Sequence, residues 1–565
     1  MNLSRIRAQP LLLLYLKFQN KMAKKVIILG GGVAGMSAAH ELVERDYEVH
    51  IYEKQPVYVG GKARSVEVPN SSVGDFEPLP GEHGFRFFPG FYKHITDTMK
   101  RIPFGDNKHG VFDNLIPSER VMMARFNEAP LINIVNFPKS LTDLKVAMHA
   151  FVDSGTGLTK KDGDYFASKL WQLATSCHER RNSEYERIAW WDFMDADKQS
   201  DAYRQYFVGG ITRTLVAAKP KKVSTKTGGD ILLQLLFLMG DPMSHADRVL
   251  NGPTNEAWLY PWRDYLLSKG VKYHHDVELN EISVSDGMIS SVQVKDSKGN
   301  ESVVAGDEYV FAIPVERMAP LLSDEIAKLD PTLNFIKPLA KDTAWMTGVQ
   351  YYLNQDVKMT RGHVMYTDSQ WALTSISQLQ FWDRFDISKH GNGKVKGILS
   401  VDVSDWETPG FNGKPAKDCT KEEIKEEVWK QLKESLITDG KSLLTDDMLV
   451  DWYLDRDIVF NKDFKTANEE PLLINRVNTW SLRPEAFTQI PNMYLASDYV
   501  RTYTDLATME GANEAARRAV NAMLNKDGKK DFCKIWNLHE PSILAPFRMH
   551  DKKRWEQGLP WKNTF

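Results

Sequence analysis

The residues best suited to chemistry in this chain are three glycines and an acid. Gly30, Gly32 and Gly35 are spaced as G-x-G-x-x-G, and Glu53 follows them. In such a set the first glycine permits a tight turn, the second lets backbone approach a pyrophosphate, and the third lets a helix pack on a strand. Val33 and Ala34 lie within this glycine turn, and the helix that follows has an N-terminus whose free N–H groups and partial positive charge face the phosphates. Glu53 is placed to accept ribose hydroxyls, with Lys54 beside it. Close behind come Gly60, Gly61, Lys62, Ala63, Arg64 and Ser65, a second glycine turn carrying two cations. Two sets of donors suit a dinucleotide whose pyrophosphate is gripped from two sides and whose far end carries a long group.

These residues need a strand, a turn and a helix to hold them. Val26 to Leu29 is an apolar strand, Met36 to Asp46 reads as a helix, and Tyr47 to Tyr52 as a second strand ending at Glu53. At 565 residues the chain exceeds a single core, so two or more interleaved domains are expected. Its 42% hydrophobic and 26% charged content is that of an ordinary globular protein. A net charge of −3 gives no electrostatic case for nucleic acid. Cys177, Cys419 and Cys533 show no metal or disulfide spacing and read as plain thiols of a reducing compartment, the cytoplasm. No metal site is expected.

Residues 1–21 form an N-terminal extension in which Arg5 and Arg7 precede the apolar run Leu11 to Leu14, too short to span a membrane. Met22 reads as a natural start. The extension is either an upstream leader without structure or a membrane-surface anchor, and no other stretch reaches spanning length.

Further along, Gly81 to Tyr92 mixes glycines with aromatics, as an aromatic core turn or as a wall for a flat ring. Residues 105–250 read as mainly helical. Asp164 to Cys177 has a helical core face, and Ile231 to Met239 is nearly all apolar, either a buried helix or the lining of a lipophilic tunnel or membrane-facing surface. Residues 251–314 return to strands, with a hairpin from Ile282 to Val294 through Asp286-Gly287. In 315–480, strands at Gly348 to Leu353, Trp371 to Ile376 and Gly397 to Val403 and a charged helix from Lys421 to Leu436 suit a sheet-based substrate domain. Trp371, Trp382 and Trp406 line either a cavity or the core. Met493 to Tyr499 reads as a strand ending in Asp498, and Ala507 to Ala512 opens a helix running to Leu524. The tail, 528–565, reads as a strap packed on the body.

Several of these segments resemble the phytoene and zeta-carotene desaturases of the flavin amine oxidase superfamily. Gly60 to Ser65 is similar to their GG-(R/K)-x-x-S signature, and Gly81 to Tyr92 to their E-x-G-L-H-x-F-F-G-x-Y segment. Asp307 to Pro314 resembles D-x-V-V-x-A-x-P, and the ending resembles L-A-G-D…A-S-M-E-G-A, with Ser497 and Thr508 as substitutions. Arg86 stands where those enzymes carry His, and Pro89 replaces an aromatic.

The resemblance implies an α/β protein in which a Rossmann-like FAD-binding domain (22–104, 251–314, 481–527) is interleaved with an α+β substrate domain (105–250, 315–480). It favours FAD over NAD. Cofactor contacts are expected at the first two turns, at Gly84, Phe85 and Arg86, at Val277 beside the adenine, at Ala312 and Asp498, and at Met509, Glu510 and Ala512, where a helix N-terminus faces the flavin edge. Arg86 and His83 are the expected catalytic residues. The implied reaction is hydride removal from an isoprenoid or carotenoid-like chain to flavin N5, with quinone or oxygen as acceptor and a peripheral membrane contact. A flavin amine oxidase, and a lipid isomerase or hydroxysqualene dehydroxylase-like enzyme, remain open.

Overall fold

The computed structural model describes residues 23–134, 155–210, 219–239, 247–438, 440–461 and 466–563. The extension 1–21 and its anchor reading lie outside them.

Strand β1 (Lys25–Leu29) is apolar on both faces, as a strand covered on both sides must be. Helix α1 (Val33–Val43) follows, starting earlier than its apolar spacing predicted because Gly32 already serves as its N-cap. After β2 (Glu48–Tyr52) and α2 (His94–Lys100), the chain returns to the same sheet three times, with β5 (Lys272–His274), β9 (Glu308–Phe311) and β15 (Met493–Leu495). The sheet runs β15-β9-β1-β2-β5, all parallel, with Ile28 in register with Val310 and Ile51. Helix α7 (Met509–Lys526) packs on α1, and the largest core lies between these layers. A hairpin sheet of β6 (Val277–Ser285), β7 (Met288–Asp296) and β8 (Glu301–Val304) sits beside it.

The second layer is a seven-stranded sheet ordered β14-β10-β13-β12-β11-β3-β4. Its strands are β3 (Arg120–Arg125), β4 (Glu128–Ile134), β10 (Thr347–Leu353), β11 (Gly362–Tyr366), β12 (Thr374–Ser377), β13 (Gly397–Val403) and β14 (Leu449–Leu454). Helix α6 (Lys421–Ser435), held by a Thr420–Glu423 capping box, covers one face. The helical reading of 105–250 fails at β3 and β4. Met122, Met123 and Ala124 carry no strong strand preference, and parallel pairing with β11 places them in the sheet. The strand predicted from Trp371 begins only at Thr374, because Ala372 turns the chain at φ 51°. Likewise β15 stops at Leu495, and Asp498 lies in the turn beyond it.

The third unit is helical: α3 (Lys160–Thr175), α4 (His178–Ser183) and α5 (Thr225–Met239) enclose an aromatic core in which Phe166 and Phe207 stack 4.3 Å apart. Trp371, Trp382 and Trp406 belong to cores and do not line the main cavity. The tail crosses the surface and ends in α8 (Ala545–Glu556), docked on α3 and α4. There Asp551 accepts from Cys177 N at 2.9 Å and from Arg180 Nε at 3.0 Å. Among the described residues no helix is long and apolar enough to cross a membrane.

Candidate active site

The two glycine turns face each other. Gly30 has φ 104°, and a side chain there would meet Ala312 O at 2.5 Å. A side chain on Gly35 would meet Gly30 O at 1.9 Å, so this glycine serves helix-to-strand packing and does not line the cavity. Gly60 N donates to Gly31 O at 3.1 Å, which brings the second turn against the first. Gly30, Gly32, Val33, Ala34, Gly60, Gly61, Lys62 and Ala63 thereby share one wall of a cavity of about 770 Å³. That volume lies in the usual range for a large ligand, roughly 300–1,000 Å³.

Glu53 lies in the same cavity at the end of β2, its carboxylate accepting from Gly31 N at 2.6 Å and Gln55 N at 2.8 Å. Burial pushes its carboxyl up, against those two donors. Val277 lines the cavity too and donates its N–H to Glu53 O at 2.9 Å. The cations after Glu53 are paired: Lys54 with Glu470 at 2.8 Å and Lys62 with Glu316 at 3.1 Å. Glu316 keeps one buried oxygen without a partner on the cavity wall. Arg64 is turned away from the cavity into a 2.5 Å ion pair with Asp457.

Asp498 and the start of α7 complete the lining, while Ala312 stands against Gly30 at the first turn. Thr508 caps this helix, accepting from Gly511 N at 3.1 Å, and Thr508, Met509 and Ala512 line the cavity. Glu510 does not. It is buried behind the wall, where it takes four N–H groups of residues 93–95. The loop before α7 is pinned by Asp505, which accepts from Lys226 Nζ at 3.0 Å and Thr227 Oγ1 at 2.8 Å.

Segment 82–88 lies on the sheet. Gly348 makes this possible, since a side chain there would strike His83 O at 2.9 Å. Glu82 turns from the cavity to Thr254, accepting from its N at 2.9 Å and Oγ1 at 2.8 Å, and burial pushes its carboxyl up to about 8. His83, Gly84, Phe85 and Arg86 all line the cavity. Burial alone would lower His83, but Asp455 at 2.9 Å and Asp457 at 3.3 Å raise it to about 9. The ligand atoms of these three side chains lie within 4.8 Å of one another. With Arg64 already on Asp457, the group reads as an ion-pair network. The Arg86 guanidinium donates to Lys62 O at 2.6 Å, and burial lowers its pKa against Glu82 and Asp402.

Asp402, Glu316 and Glu470 line the cavity but were missed from the sequence. Asp402 alone had a readable signal, as an acid inside the apolar strand GILSVDV.

The flavin-containing amine oxidoreductase family matches residues 33–524. The chain belongs to the flavin-containing amine oxidoreductase family. A zeta-carotene desaturase from Zea mays is 37% identical over 550 residues, covering 87% of this chain and 82% of its own. One from Capsicum annuum is 38% identical over 548 residues, covering 88% and 80%. Among solved structures, cyclohexylamine oxidase from Brevibacterium oxydans is 12% identical, with a TM-score of 0.58 over 89% of this chain and 100% of that one, and shows the fold.

FAD is the cofactor of this flavin-containing amine oxidoreductase. The residues present fit it: two facing glycine turns, a buried acid at the end of β2, and a helix N-terminus, all lining one cavity. Glu53 would hold the ribose, the N–H groups of Val33 and Ala34 the pyrophosphate, and the Thr508-capped start of α7 the flavin edge. FAD, when bound, supplies a two-electron acceptor. The protein's own part would be to hold the cofactor and align what enters beside it.

Proposed function

We propose that this enzyme desaturates a long apolar, carotenoid-like isoprenoid. The observation that carries the reading is the apolar part of the same cavity's lining: Phe85, Phe87, Tyr92, Met346, Leu472 and Ile474. The zeta-carotene desaturases, at 37% and 38% identity, support a substrate of that kind. Hydrogen removal from a polyene needs no charged recognition group on the substrate, only alignment in a dry channel. Arg86 is assigned the balancing of negative charge on the reduced cofactor, and His83, fixed by Asp455 and Asp457, the placing of the turn that carries Arg86. A quinone or oxygen is the proposed final acceptor. A cytoplasmic protein resting on a membrane surface would meet both a lipophilic substrate and a quinone there.

The test is an anaerobic visible spectrum of the purified protein with liposomes carrying linear polyenes and, separately, with amines. Bleaching of the flavin bands by polyenes alone is expected. Bleaching by amines alone would replace this reading with an amine oxidase. Turnover of a polyene without any added acceptor would point to an isomerase or dehydroxylase.

A further inference from the structure

We propose that Asp402 is the base that takes the proton released when the new double bond forms, an inference that rests on the desaturation reading above. Removing two hydrogens from adjacent carbons leaves a proton to be placed. One C–H bond breaks with its electron pair, which leaves as hydride to the oxidised flavin of the family's chemistry. The neighbouring C–H bond gives its proton to Asp402, and the electron pair of that bond becomes the new C=C π bond. Charge and electrons balance with a carboxylate on the enzyme and no further reagent. In an apolar channel such an acceptor has to be built in, because water is excluded.

Asp402 has the required position. It lies in β13, in the middle of the sheet, opposite Gly348 of β10 and Thr374 of β12, and it lines the cavity with Arg86 and Phe85. The side chain is 5% exposed, and its Oδ1 has no hydrogen-bond partner. The Phe85 N–H donates to the carboxylate and fixes its orientation. Gly84 supplies room, since a side chain there would stand 2.7 Å from Oδ1. A buried carboxylate oxygen without a donor is costly, so a purely structural acid would be expected to have every oxygen paired. Glu82 is paired with Thr254, and Asp457 with Arg64 and His83; Glu316 also keeps one oxygen unpaired, but its carboxylate is already held by Lys62 at 3.1 Å, whereas among the described residues no cation bonds Asp402.

The titratable groups facing Asp402 are Arg86 and His83 on the turn above it and His363 on β11, with Glu82 and Asp455 acting on Arg86. Burial pushes the carboxyl up, and Arg86 and His83 restrain it, leaving it at about 7. A base with that value is ionised in part at neutral pH and can release the proton again between turnovers.

The experiment uses the full chain with FAD bound and compares wild type with D402N. The flavin content of D402N should be unchanged, and its bleaching by polyene slower by about 100-fold or more, the usual range for loss of a general base. The wild-type rate should rise with pH through about 7, and D402N should lose that limb. Independently of turnover, infrared pH titration should show a protonated carboxyl that ionises near 7 in wild type and is absent in D402N, while the Glu82 component near 8 remains. Equal rates and profiles for the two proteins, or a missing infrared component in wild type, would overturn the assignment with the desaturation reading intact. Wild type that no polyene bleaches would remove both. Should D402N lose its flavin, D402E is used: it should keep part of the rate and a shifted pH limb, and a pH-independent D402E would again overturn the proposal.

Discussion

Glu510 Oε1 and His94 Nδ1 stand 2.7 Å apart, which joins the first turn of α7 to the first turn of α2. The same carboxylate accepts from Lys93 N, His94 N and Ile95 N at 2.7, 2.8 and 2.9 Å. It therefore serves as a cap supplied from elsewhere in the chain, at the end of α2 where N–H groups lack helical partners. Glu510→Ala removes the acceptor of the buried His94 and Ile95 N–H groups. We expect a loss of about 3 kcal/mol or more in stability, read as a lower melting temperature at saturating FAD. An unchanged melting temperature would show that water replaces the carboxylate.

Gly30 and Gly32 should separate folding from cofactor binding. At Gly30, with φ 104° and Ala312 O within 2.5 Å of a new side chain, alanine should destabilise the protein itself as well as FAD binding. At Gly32 the nearest atom to a new side chain is Gly61 Cα at 3.7 Å, an ordinary contact. Gly32→Ala should therefore leave the unfolding free energy of the FAD-free protein within about 0.5 kcal/mol of wild type, yet weaken FAD binding roughly tenfold or more. Fluorescence titration with FAD measures the second quantity.

His83 makes stability pH-dependent. Its folded pKa is raised to about 9 by Asp455 and Asp457, which outweigh burial, from an ordinary value of 6.5. The folded state binds the extra proton between those values. The stabilisation is thus complete below about 6.5 and lost as pH rises through about 9, an upper limit of about 3 kcal/mol. Denaturant unfolding from pH 6 to pH 10 should show this decline in wild type. In His83→Gln the decline should be shallower; equal slopes would mean that the proton on His83 is not coupled to folding.

Asp551 anchors the tail. Its partner Arg180 is fully buried and also bonds Glu184 and Leu559 O. Asp551→Ala should cost about 3 kcal/mol, because it leaves part of a buried cation unsatisfied. It should also expose α8 to limited proteolysis before the rest of the chain, with cleavage sites read by mass spectrometry. Global cleavage without early loss of α8 would contradict a locally held tail.

What the sequence determined by itself was the local grip on the cofactor. A strand, a turn and a helix that follow one another in the chain create the Gly30–Gly35 turn without help from distant residues, so spacing alone was enough to read it. The same local logic could have sorted the C-terminal motif. Met509 and Ala512 are three apart and share a helix face, whereas Glu510 is turned from both, and the structure sends it to α2. Arg64 was read from its place beside a glycine turn, but its role depends on Asp457, nearly four hundred residues later, whose 2.5 Å ion pair draws it out of the cavity. Strand β3 was missed for a related reason: it is held in the sheet by parallel pairing with β11, more than two hundred residues later, and β4 then adds to its other edge. Only tertiary structure could place Asp402 under Gly84 and beside Arg86, because the partners that bury it, orient it and set its charge belong to three strands and a turn that meet only when the sheet has closed over the cofactor layer.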